Sequence, residues 1–203
     1  MADVLVLVEQ VDGKLKKVTA ELLTAAKALG EPAAVVVGAP GTTDAVAEQL
    51  KAAGAAKIYR AESADADAHL VTPKVGVLAE LAESQGAAAI LTAATFEGKE
   101  VAGRVAARRG SGLIADAIAF GPGGTATHSI FGGAFTVEAT AGGDTPVASL
   151  RPGAVEADGV AGAGEIVDVA VPAEAENAVM LVVGSRGRGA AAAALLGSVS
   201  RAV

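Results

Sequence analysis

Residues 87–116 read AAAILTAATFEGKEVAGRVAARRGSGLIAD, and the fold follows from how that stretch divides. Ala87 to Ala93 is an unbroken apolar run of strand length. A strand covered on both faces of a parallel sheet reads this way, whereas a half-exposed strand alternates. From Glu97 the apolar residues fall at Val101, Ala102, Val105 and Ala106, while Lys99, Glu100, Arg104, Arg108 and Arg109 fill the remaining arc. That is helical spacing with one buried stripe and one wet face, and Gly110 is its stop. The polar turn Thr92 to Gly98 thus joins the carboxyl end of a buried strand to the amino end of a helix, where open α/β sheets hold their ligands. Thr92, Thr95, Glu97 and Lys99 are placed there, with Thr95 also suited to cap the helix.

The chain before the hub repeats the same unit. Asp3 to Glu9, DVLVLVE, reads as a buried strand, and Leu15, Val18, Leu22, Leu23 and Ala26 recur at helical spacing up to Gly30. Ala33 to Gly38, AAVVVG, is a second buried strand, followed by a helix that Thr43 or Asp44 can cap and that runs through Ala53. Ala56 to Arg60 is a short third strand, and Glu62 to Asp67 an acidic loop. Pro73 suits the first turn of a helix through Leu78 and Leu81 to Gln85. Strand and helix alternate four times, the pattern of a parallel sheet with helices on both faces.

After Gly112 the pattern changes to short segments parted by glycine-rich turns: LIADAIAF, HSIFGGAFTVEAT, VASLRPG and EIVDVAV. With no helical period between them, a small antiparallel extension is expected. Gly132 and Gly133 inside a strand-like run suggest a bulge or a close backbone approach. Ala154 to Gly164 reads as a surface loop.

Composition narrows the function. Only 2% of residues are aromatic, with no Trp, which removes the stacking platforms used on single-stranded nucleic acid. A net charge of -7 argues further against nucleic acid or an anionic membrane as partner. The absence of cysteine excludes disulfides, thiolate metal sites and a cysteine nucleophile. His69 and His128 are far apart in sequence and read as surface or turn residues. No Asp/Glu pairing suggests general acid and base, so neither catalytic nor metal-binding residues are assigned. The start MADVLVLVEQ lacks a basic leader, and no apolar run reaches the ~20 residues that span a bilayer, so a cytoplasmic protein is expected. The Arg104, Arg108 and Arg109 cluster reads as a solvated helix face or part of a subunit contact.

Longer blocks carry a family resemblance. VLVLVE, KKVTAELLTAAKALGEPAAVVVG, GKEVAGRVAARRGSGLIAD and HSIFGGAFTVEATAGGDTPVASLRPGA together make the chain from Met1 to about Asn177 resemble the amino-terminal domain of electron transfer flavoprotein alpha subunits. The resemblance implies a three-layer α/β/α fold of the adenine nucleotide alpha hydrolase-like kind, with a mostly parallel sheet and a small antiparallel extension. It implies a beta subunit as partner, FAD as cofactor, and electron passage from flavin dehydrogenases to a quinone oxidoreductase. The subunit is then an electron carrier without catalytic side chains of its own, residues 1–177 mainly scaffold. The family's FAD-holding second domain would be absent.

The last stretch, 178–203, reads as strand, glycine turn and helix, and can complete the same sheet. A glycine turn at a helix start is a ready anion site, and Arg186 and Arg188 add charge. The spacing Gly184-x2-Gly187-x9-Gly197-Ser198 is similar to the ATP-binding pattern of universal stress proteins, which implies AMP or ATP as an alternative ligand. Arg186-Gly187-Arg188-Gly189 is similar to the turn that opens the flavin domain of the first family. The candidate cofactor-binding residues are therefore Gly184, Arg186, Gly187, Arg188, Gly189, Gly197 and Ser198.

Overall fold

A computed structural model describes residues 1–64 and 66–172. In chain order the strands and helices are β1 (Asp3–Leu7), β2 (Gln10–Val11), β3 (Lys14–Leu15), α1 (Lys17–Ala26), β4 (Glu31–Gly38), α2 (Thr42–Ala52) and β5 (Lys57–Glu62). There follow α3 (Thr72–Ser84), β6 (Ala89–Ala93), α4 (Phe96–Arg109), β7 (Leu113–Ala117), β8 (Ala119–Phe120), β9 (Ala126–Ile130), β10 (Phe135–Ala139), β11 (Val147–Leu150) and β12 (Glu165–Asp168).

Seven strands form one sheet in the order β12-β5-β4-β1-β6-β11-β7, and every neighbouring pair is parallel. The apolar runs are continuous because each strand feeds two cores. Val4 and Val6 face one layer while Leu5 and Leu7 face the other, and Leu91 and Ile90 split in the same way. Leu22 and Leu23 of α1, with Val46 and Leu50 of α2, cover the first face. Val75, Leu78 and Leu81 of α3, with Val101 and Val105 of α4, cover the second. The chain thus steps outward from β1 to β4 and β5, then crosses beneath them through α3 to β6 on the far side of β1, a reversal of winding.

The segment after Gly112 differs from the expectation in its details. Within it only β8, β9 and β10 make an antiparallel sheet. The segments 113–117, 147–150 and 165–168 instead join the parallel sheet: β11 inserts between β6 and β7, and β12 pairs with β5 at the opposite edge. All four residues of β11 are buried, as its central place demands. Gly132 and Gly133 form no bulge and meet no close backbone; they lie in the turn joining β9 to β10, with φ of 65° and 93°. That left-handed backbone is what calls for glycine.

The loop from β11 to β12 runs over α1 and α2. Gly153 N donates to Glu21 Oε2 (2.7 Å), Lys27 pairs with Asp158 (2.7 Å), and Gly162 N donates to Lys51 O (2.9 Å). At the amino edge of the sheet, Asp3 is buried and accepts from Tyr59 Oη (2.6 Å) and Lys57 Nζ (3.0 Å). Burial and the Asp3 carboxylate push the Tyr59 hydroxyl well above the ordinary tyrosine range. The hydrogen bond to Asp3 likewise raises Lys57.

Candidate functional site

The reversal of winding falls between β1 and β6, the place where doubly wound sheets hold their ligands. Flanking it are Glu9, just beyond β1, and Thr95, just before α4. They meet directly: Thr95 Oγ1 donates to Glu9 Oε1 at 2.7 Å. Lys16 Nζ lies 3.0 Å from Glu9 Oε2, and Thr19 Oγ1 exchanges hydrogen bonds with the Glu9 backbone. The expected cap of α4 is present, Thr95 Oγ1 accepting from Gly98 N at 3.1 Å. Thr92, fully buried, donates from Oγ1 to Gly98 O (3.0 Å), so one glycine is held from both sides. A Cβ at Gly98 would stand 2.1 Å from the Ala93 carbonyl oxygen, which is why no side chain is admitted there. Glu97 pairs with Lys74 of α3. Three of the four residues placed in this turn by sequence are thus engaged with the protein, and Lys99 is exposed.

The neighbouring helix start is built differently from expectation. The residue before α2 is Gly41, in the left-handed region at φ 93°, and neither Thr43 nor Asp44 caps the helix. Glu62, at the end of β5, does so from the adjacent strand: its Oε2 accepts from Gly41 N (2.9 Å) and its Oε1 from Thr43 N (2.7 Å). Burial works to raise the Glu62 carboxyl, but the Thr43 and Gly41 backbone donors, with the Thr43 hydroxyl and the Arg60 charge, together outweigh it and hold it below the ordinary range.

A second feature lies at the β7–β11 edge, where a cleft of about 650 Å³ is lined by Asp116, Ser129, Ile130, Phe131 and Arg151. Arg151 grips Asp116 through Nε (3.2 Å to both carboxylate oxygens) and Nη2 (2.7 Å), and Nη2 also donates to Ser129 O (3.1 Å). The Arg151 hydrogen bonds hold the Asp116 carboxyl low. Asp116 takes a left-handed backbone (φ 61°), and its N–H donates to the buried Ser149 hydroxyl at 2.9 Å. The pair pins β9 to the parallel sheet, and the hairpin beyond presents Phe131 and Phe135 edge to face, centroids 5.9 Å apart. Phe131 is 79% exposed and Phe135 60%, an aromatic surface with polar supports behind it. This arrangement suits docking; it holds no nucleophile beside a base.

Sequence reasoning missed Asp116, Ser129 and Arg151 as a unit, since they lie on three segments; the signal was that all three fall in the blocks that carry the family resemblance. Arg104 pairs with Glu100 (2.6 Å) on the exposed side of α4, whereas Arg109 is largely covered and pairs with Glu83 of α3 (3.1 Å). The candidate cofactor residues Gly184, Arg186, Gly187, Arg188, Gly189, Gly197 and Ser198 lie outside the described residues. Among the described residues, no group of His, Asp and Glu could hold a metal ion, and no helix is long and apolar enough to cross a membrane.

Comparison with known proteins bears on the whole body. The family model described as electron transfer flavoprotein domain matches residues 4–174. The electron transfer flavoprotein subunit alpha of Mycobacterium tuberculosis (strain H37Rv) is 66% identical over 178 residues, 88% of this chain. That of Mycobacterium leprae is 62% identical over the same length and share, and that of Syntrophomonas wolfei 34% over 181 residues, 87% of this chain. The chain spans 56% of the length of each of these relatives.

Proposed function

Because this chain belongs to the electron transfer flavoprotein family, we propose that it serves as the amino-terminal platform of an alpha subunit. The observation that carries this is the unbroken agreement with alpha subunits at 66% identity over 178 residues. In this reading FAD does the redox chemistry, in an assembly with a beta subunit that takes electrons from flavin dehydrogenases and delivers them to a quinone oxidoreductase. The platform's own residues orient and dock. The exposed aromatics of the β9–β10 hairpin, braced by the Asp116–Arg151 pair, are the surface this role calls for.

The described rim does not fit the pyrophosphate of FAD, because Glu62 already takes the Gly41 and Thr43 N–H groups. The reading includes a boundary near residue 177 and a cofactor-binding role for Gly184, Arg186, Gly187, Arg188, Gly189, Gly197 and Ser198; glycine spacing and charge support it. A stand-alone module for AMP or ATP is not favoured, since the relatives are named as alpha subunits.

Co-purification with an electron transfer flavoprotein beta subunit tests the reading. A stable complex, weakened by Phe131→Ser, is expected, together with weak FAD binding by the chain alone. A chain that ignores the beta subunit, or that is colourless and gains thermal stability with ATP only while Gly187 is intact, would overturn it.

A further inference from the structure

A parallel sheet of this winding sets helix N-termini along its carboxyl rim, and free N–H groups there, with the helix dipole, attract phosphate. In this chain the rim already carries its own anions. We propose that Glu9 and Glu62 are resident carboxylates that close the rim to phosphate, so that the domain keeps the form of a nucleotide-binding sheet without taking a nucleotide there.

Glu62 binds the start of α2 as a phosphate would, two oxygens on two backbone N–H groups at 2.9 and 2.7 Å. Glu9 occupies the start of α4 through Thr95, which accepts from Gly98 N and passes its own hydroxyl hydrogen to the carboxylate. The side chain of Glu9 is only 9% exposed, so it is all but buried between β1 and α4. Two nearby cations are taken as well: Lys16 by Glu9, and Lys74, in the first turn of α3, by Glu97. An arriving phosphate would have to displace a tethered carboxylate, in a chain of net charge -7. Tethering makes the resident anion intramolecular, so free phosphate competes against an effective concentration of roughly millimolar or more.

The test is titration of the full ¹⁵N-labelled chain with inorganic phosphate against chloride at matched ionic strength, following the amides of Gly41, Thr43 and Gly98. In the unaltered protein these resonances are expected to stay in place. In Glu62→Ala the Gly41 and Thr43 amides should shift saturably while Gly98 does not. Glu62→Gln, which keeps one acceptor and the side-chain volume, serves if the alanine variant does not fold, and should show the same shifts at higher phosphate. Saturable movement of Gly41, Thr43 or Gly98 in the unaltered protein overturns the proposal, as does failure of Gly41 and Thr43 to respond in a folded Glu62 variant. Shifts confined to Gly184 or Gly187 report the glycine stretch, and beta-subunit binding is read separately, so neither is confounded with this outcome.

Discussion

Replacing Gly98 by alanine tests whether the β6–α4 junction is held by close approach of backbone to backbone. Carbon and oxygen in contact sit roughly 3.3–3.6 Å apart, but a Cβ on residue 98 would stand 2.1 Å from Ala93 O and 3.1 Å from Thr95 Oγ1. The nearer obstacle is backbone at the strand end, so no side-chain rotation relieves it. The first turn of α4 must move by roughly 1 Å, at an overpacking cost of about 1–3 kcal/mol. That movement strains the Thr92 and Thr95 hydrogen bonds to residue 98, together worth about 2 kcal/mol. Against this, alanine gains about 1 kcal/mol of helix propensity over glycine. The net loss is about 2–4 kcal/mol, or a fall in Tm of about 4–16 °C for a chain of this size.

Gly103 provides the internal control. It lies in the same helix, and a methyl group added there would meet no atom outside its own stretch of helix within 4 Å, so Gly103→Ala should raise stability by up to about 1 kcal/mol. Urea unfolding followed by circular dichroism gives both values. A Gly98→Ala variant as stable as Gly103→Ala would refute the reasoning, because propensity alone would then govern both sites.

Two further outcomes concern pH. The lowered carboxyls of Glu62 and Asp116 contribute stability above their ordinary values of 4.5 and 3.8, which is lost as pH falls through the lower folded values; unfolding of Glu62→Gln should therefore converge on that of the unaltered protein in acid, and parallel curves would contradict the cap. At the other extreme, Tyr59 and Lys57 are raised, so their contribution is complete below about pH 10 and fades as alkali titrates the folded groups. Asp3→Asn should cost about 1–3 kcal/mol at neutral pH and flatten that alkaline decline, as measured by thermal melts across the alkaline range.

What the chain declares locally was legible without coordinates. The runs at β1, β4 and β6 announced strands buried on both faces, and Thr95 and Gly110 marked the ends of α4, because apolar period, capping and a left-handed stop act within a few residues. Three-layer architecture and a parallel sheet follow from the alternation of such units. The places of β7, β11 and β12 did not. Strands of four or five residues carry no mark of direction, and their partners are chosen by which edge or gap remains once the larger units have packed. The same holds for the site. Glu62 reaches α2 across 19 residues, Arg151 reaches Asp116 across 35, and Thr95 reaches Glu9 across 86. Each contact exists because strand order sets two chain-distant positions side by side, and strand order is a property of the assembled sheet rather than of any segment within it.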